Sequence, residues 1–135
     1  MEKKENMVIA IIITHGDLGR ELIKVAEEIL EIDSGIECLS FDWKEDGSKT
    51  LNRIDHFLRT HKNRKIIIFT DMFGGSPSNI CLKFHSKTIE IITGINLPGI
   101  LKFLTYREKN LSLKDLAKEI KRGTIDGISV IGEYL

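Results

Sequence analysis

The feature that most limits what this chain can become is an apolar run near its start, Val8-Ile9-Ala10-Ile11-Ile12-Ile13. It is mostly β-branched and does not alternate with polar residues, which predicts a strand covered on both faces. Lys65-Ile66-Ile67-Ile68-Phe69-Thr70 predicts a second one. Strands covered on both faces belong to parallel sheets, and parallel neighbours need crossover connections, usually helices. The segments between supply them. Residues 18–32 carry Leu22, Val25, Ala26 and Ile29 at helical spacing, with Glu21, Lys24, Glu27, Glu28 and Glu31 opposite. After Ser48, the stripe is Leu51, Ile54, Phe57 and Leu58, with His56 and His61 on the solvated side or end. After Pro77 it is Ile80, Cys81 and Phe84, and between Ser112 and Gly123 it is Leu113, Leu116, Ala117 and Ile120. Residues 36–41 and 89–95 read as further strands. Ile100, Leu101 and Leu104 suggest a short helix on from Pro98.

Local signals mark the ends. Asp17, Ser48 and Ser76 are expected as helix N-caps, with Pro77 as the first helical residue after Ser76. Ser112 and Asp115 form a capping pair, and Gly123 fits a helix stop. The resulting order is β-α-β-α-β-α-β-α-α-β. It predicts a flavodoxin-like, doubly wound α/β fold with a mostly parallel sheet and helices on both faces. The last segment, 124–135, carries Ile125, Ile128, Val130 and Ile131. It reads as one more strand, either at an edge of its own sheet or lent elsewhere.

At 135 residues the chain has the size of one domain, so 1–135 is read as a single unit with a charged lead-in at 1–6. Twenty basic and twenty acidic residues cancel, so no overall field draws it to nucleic acid or to a membrane. The first apolar run is too short to span a bilayer, and no small-residue cleavage site follows it, so a cytoplasmic location is expected. Cys38 and Cys81 lie in apolar patterns and read as free thiols, and no Cys/His group has zinc spacing.

Both long runs end in residues that can do chemistry. The first runs into Thr14-His15-Gly16, the second into Asp71-Met72-Phe73-Gly74-Gly75-Ser76-Pro77-Ser78-Asn79. In open parallel sheets, the carboxyl ends of the strands hold the ligand. The flavodoxin-like order makes the first and third strands neighbours, which would bring Asp71 to His15. A carboxylate that accepts from Nδ1–H fixes the tautomer and leaves Nε2 to act as base, ligand or nucleophile. Gly74, Gly75 and Ser76 add loop N–H groups and a hydroxyl, and helix amino ends follow residues 17 and 76. Such a donor-rich rim suits an anion, and a transferable phosphoryl group on the imidazole fits best. A hydrolase would want a Gly-x-Ser-x-Gly elbow, which the chain lacks. The 71–79 loop lacks the Lys-Ser/Thr ending of a Walker loop, and two ligands are too few for a metal site.

Three motifs, Met7-Val8-Ile9-Ala10 through Thr14-His15-Gly16, the run 71–79, and Gly94-Ile95-Asn96-Leu97-Pro98, closely resemble the enzyme IIA domain of the mannose-type sugar phosphotransferase system. The resemblance runs from Met7 to about Tyr134. It implies that His15 is phosphorylated on Nε2 by the phosphocarrier HPr and hands the group to a IIB component. It implies Asp71 as the residue that orients the ring and Ser76 as a lining hydroxyl of the phosphate site. It implies a homodimer that exchanges the C-terminal strand, 124–135. It implies no cofactor, and contact with a membrane only through a permease complex. Met72 and Phe73 are expected to help dock the partners. Two positions depart from the family pattern. Asp17 brings a carboxylate near the histidine, and Gly99 stands where a larger apolar residue is common. With no IIB segment in the chain, the next acceptor is expected to be another protein.

Two other functions are open to this fold. A regulatory module of this fold would signal through the phosphorylation of His15, and neighbouring genes for IIB, IIC and IID components separate it from transport. A flavodoxin-like small-ligand binder would show a flavin spectrum, but no hydroxyl-rich phosphate loop follows the first strand.

Overall fold

The computed structural model describes residues 7–42, 44, 46–72 and 74–135. Trp43, Phe73 and the lead-in 1–6 therefore lie outside the described residues. Four strands form one parallel sheet in the order β2-β1-β3-β4: β1 is Ile9–His15, β2 Glu37–Phe41, β3 Ile66–Thr70 and β4 Ile89–Ile92. The connecting helices are α1 (Leu18–Leu30), α2 (Ser48–Thr60), α3 (Ser76–Cys81), α4 (Leu97–Tyr106) and α5 (Leu113–Asp126). A 3₁₀ turn, Leu82–Phe84, prolongs α3.

The doubly wound reading follows from how β1 and β3 divide their side chains. Ala10, Ile12, Ile67 and Phe69 face one core with α1, α4 and α5. Ile11, Ile13, Ile66 and Ile68 face the other with α2 and α3. A strand flanked by helices on both sides has no wet face, hence no alternation. The amino edge of the sheet is pinned by long cationic arms. Arg107 donates from Nε and Nη2 to the Val8 carbonyl and from Nη1 to that of Ser34, and Arg64 donates to the Met7 carbonyl at 2.7 Å. Burial lowers the Arg107 pKa from its ordinary value.

Several local expectations are corrected. Asp17 does occupy the N-cap position of α1 but makes no side-chain cap bond, and Ser48 and Ser76 are not N-caps. Gly47 and Gly75 occupy the N-cap positions of α2 and α3, so Ser76 is already helical. The capping work at α1 falls instead to Thr14, whose Oγ1 accepts from the Gly19 N–H at 2.8 Å. Ser112 does cap α5, accepting from the Asp115 N–H, and Asn96 caps α4. The apolar stripe of α1 is rotated: Gly19, Ile23 and Ala26 are buried, while Val25 and Ile29 are exposed. β4 stops at Ile92, because the Ile95 N–H turns to the Thr70 carbonyl and the chain enters α4.

The largest correction is the tail. Gly123 does not stop α5. The helix continues through Thr124 to Asp126, since Thr124 bonds the Ile120 carbonyl and Asn96 Nδ2 donates to the Thr124 carbonyl. Gly123 suits that place for want of a side chain, because an added Cβ would stand 3.0 Å from Lys102. Beyond Gly127 the single chain forms no strand; Ile131–Tyr134 is a 3₁₀ turn.

Candidate functional site

β1 and β3 run side by side, with Ile13 opposite Thr70. Asp71, one residue beyond Thr70, and His15, two beyond Ile13, therefore emerge at the same carboxyl rim. One carboxylate oxygen, Asp71 Oδ2, lies 2.8 Å from His15 Nδ1 and 3.1 Å from the His15 backbone nitrogen. An ionised carboxylate only accepts, so Nδ1 carries the proton and neutral His15 is the Nδ1–H tautomer, with its lone pair on Nε2. The ring is further braced by Phe41, edge-on at 6.1 Å between centroids. Both side chains are largely covered, with 17% of His15 and 11% of Asp71 exposed. The second oxygen, Asp71 Oδ1, is buried and meets no hydrogen-bond partner among the described residues.

The glycines have different reasons to be there. Gly74 has φ +85°, a left-handed conformation that costs other residues energy. Gly75 has an ordinary extended backbone, φ −79° and ψ 162°. What it lacks is bulk: a Cβ there would sit 2.9 Å from His15 Cε1 and 3.2 Å from Met72 Cγ. The Ser76 side chain is exposed at the start of α3, and Met72 is 54% exposed beside it. Asp17 accepts the Ser40 hydroxyl at 2.7 Å, which fastens it to the end of β2. The Gly16 N–H is spent on the Phe41 carbonyl and the Gly19 N–H on Thr14, so both already have acceptors inside the chain.

His56 is exposed on α2, His61 stacks at a tilt on Phe57, and His85 lies 3.4 Å from Glu90; the structure brings none of them to this rim. Among the described residues, no three His, Cys, Asp or Glu side chains gather as a metal site needs, and no helix is long and apolar enough to cross a membrane. Three buried hydroxyls at the rim escaped the sequence reading: Thr14, Thr70 and Ser78. A signal for two of them was present. Each long apolar run closes on a threonine immediately before its functional candidate.

The family described as "PTS system fructose IIA component" matches residues 9–121. The Escherichia coli K12 protein named PTS system mannose-specific EIIAB component is 29% identical over 114 residues, covering 82% of this chain and 35% of that protein. This chain thus spans about a third of that relative's length. Among solved structures, the PTS IIA protein associated with the fucose utilization operon of Streptococcus pneumoniae superposes with a TM-score of 0.82 at 16% identity, over 96% of each chain. The mannose/sorbose specific IIA subunit from Enterococcus faecalis gives 0.82 at 16%, over 92% of this chain and 94% of its own. At such identities the two structures speak for the fold.

Proposed function

This chain belongs to the mannose-type IIA family of the sugar phosphotransferase system, and on that footing we propose that it is a phosphoryl carrier with His15 as the acceptor. The observation that supports the reading most is the 2.8 Å contact of Nδ1 with Asp71. In the proposed step, the Nε2 lone pair attacks the phosphorus of a phosphohistidine on the donor, HPr. A new N–P bond forms at Nε2 as the donor's N–P bond breaks, and the donor imidazole leaves with that electron pair. Positive charge that develops on the His15 ring is balanced by the Asp71 carboxylate. The phosphoryl oxygens then accept from the loop N–H groups of Gly74 and Gly75 and from the Ser76 hydroxyl. A IIB histidine takes the group by the reverse of the same step. None of these steps calls on an organic cofactor or a metal.

The chain works in the cytoplasm in this reading, as a homodimer whose members exchange the tail. Ile128, Ile131 and Leu135 are 70%, 66% and 99% exposed in the single chain, and β4 pairs only with β3 among the described strands. An open sheet edge and an unpartnered apolar tail complement each other across a two-fold axis.

Incubation with phosphoenolpyruvate, enzyme I and HPr tests the carrier. The expected product is an acid-labile, base-stable phosphate, lost in His15→Ala and kept when His56, His61 or His85 is replaced. No incorporation overturns the proposal. Incorporation without onward transfer to any IIB protein moves the role from transport to signalling.

A further inference from the structure

The carboxylate that holds His15 must itself be held. Its own second oxygen does not do so, because Asp71 Oδ1 meets no partner among the described residues. The residues on either side of Asp71 are held instead, and one side chain bonds to both, to a side-chain hydroxyl before it and to a backbone carbonyl after it. Ser78, on α3, has no exposed surface. Its Oγ donates to the carbonyl of Met72, the residue after Asp71. The same Oγ lies 2.6 Å from Oγ1 of Thr70, the residue before Asp71 and likewise fully buried. A serine has one proton, and here it goes to the carbonyl. The Thr70 hydroxyl is therefore the donor to Ser78, and the chain of bonds has a direction: Thr70 to Ser78 to the Met72 carbonyl. The Thr70 carbonyl in turn accepts from Ile95 at 3.2 Å.

We propose that Ser78 is the positioning residue of this site: through Thr70 and Met72 it sets the Asp71 carboxylate, and through the carboxylate the tautomer of His15. The proposal rests on the carrier reading only for its consequence in transfer. The positioning itself concerns the resting protein. An alternative role for a buried small serine is packing alone, and the two roles differ in what they do to the imidazole.

The test records ¹⁵N signals of the His15 ring in the full chain without phosphate, then transfer kinetics from phosphorylated HPr. Ser78→Ala leaves the Met72 carbonyl without its donor and the Thr70 hydroxyl without its acceptor. The ring is expected to shift from the Nδ1–H tautomer toward a mixture. The transfer rate at saturating donor is expected to fall on the order of tenfold, with half-saturation unchanged, because geometry and not docking is lost. Thr70→Val should shift the ring less, since Ser78 keeps its bond to the carbonyl, and Thr70→Ser should restore the wild-type ring signals. The double variant Ser78→Ala with Thr70→Val should fall short of the sum of the two, because the second change removes the donor stranded by the first.

Wild-type ring signals in folded Ser78→Ala overturn the proposal. If Ser78→Ala does not fold, identical ring signals in Thr70→Val and Thr70→Ser overturn it. The two proposals fail separately. A wild-type chain that takes no phosphate, with a ring that still responds to Ser78→Ala, ends the carrier reading and supports the positioning. Phosphorylation with an unresponsive ring does the reverse.

Discussion

The ends of β1 and β3 are built alike and locked differently. Each has a fully buried threonine directly before its one functional side chain, and a glycine-containing turn and a helix after it. At β1 the threonine hydroxyl meets backbone directly, accepting from the Gly19 N–H. At β3 the corresponding early position of the helix is Pro77, which has no N–H to give. The Thr70 hydroxyl meets Ser78 instead, and the bond to backbone is made one step later. The β1 end is thus part of the fold's own hydrogen bonding, and the β3 end is a side-chain assembly laid on top of it. Damage at the first should appear as lost stability, and damage at the second as lost function.

Asp71→Asn should break that division most visibly. It removes the charge that fixes the Nδ1–H tautomer, and a partner of this kind is worth roughly 10- to 100-fold in activity. Phosphoryl transfer should slow by that much while the thermal midpoint hardly moves. A variant that unfolds would show that Asp71 belongs to the scaffold and that the two ends do not differ.

Two glycines give the next comparison. Gly75→Ala demands no new backbone conformation, but its methyl would meet the His15 ring edge. Transfer should fall about tenfold with the fold intact, since displacing a reacting group by a fraction of an ångström is felt in the rate. Gly19→Ala presses a methyl onto Ile12 Cγ1 at 3.0 Å and Thr14 Cγ2 at 3.1 Å, inside the core. It should cost about 1–3 kcal/mol in denaturant unfolding, the usual range for overpacking. Equal losses of activity in the two variants would erase the distinction. Thr14→Val should resemble Gly19→Ala: the buried Gly19 N–H loses its acceptor, at about 1–3 kcal/mol, with transfer by the surviving folded protein unchanged.

The same contrast explains what could be seen in advance. The strands that carry His15 and Asp71 announced themselves, because a segment buried on both faces cannot hide its composition. Their meeting follows from the strand order, although they stand 56 positions apart in the sequence. The hydroxyls that hold the rim did not stand out, since a threonine closing an apolar run looks the same whether it is wet or bonded inside. The Arg107 bond to Val8 spans 99 residues and has no local signature. The stripe of α1 cannot be placed to within part of a turn from spacing alone, because apolar residues occupy more of that helix than the core covers. The apolar content of the tail points to a strand, but in the single chain those side chains are left exposed.

The smallest effect probes how firmly the β3 assembly is closed. Cys81 lies on α3, three residues beyond Ser78, and burial pushes its thiol up to about 12. Cys38 on β2 is half-buried, and its thiol is also raised by burial, with Arg20 pulling it back down. Only the thiolate alkylates, so a raised pKa slows labelling at pH 8, and the rate should climb about tenfold per pH unit below the pKa. Iodoacetamide should therefore modify Cys38 first in the native chain and reach Cys81 only in denaturant. A helix as short as α3 holds its place through what it packs on rather than through its own propensity. If Cys81 were to label as fast as Cys38, α3 would be opening in the native state. The Ser78 bonds would open with it, and the β3 end would count as a mobile lock where the β1 end is a fixed one.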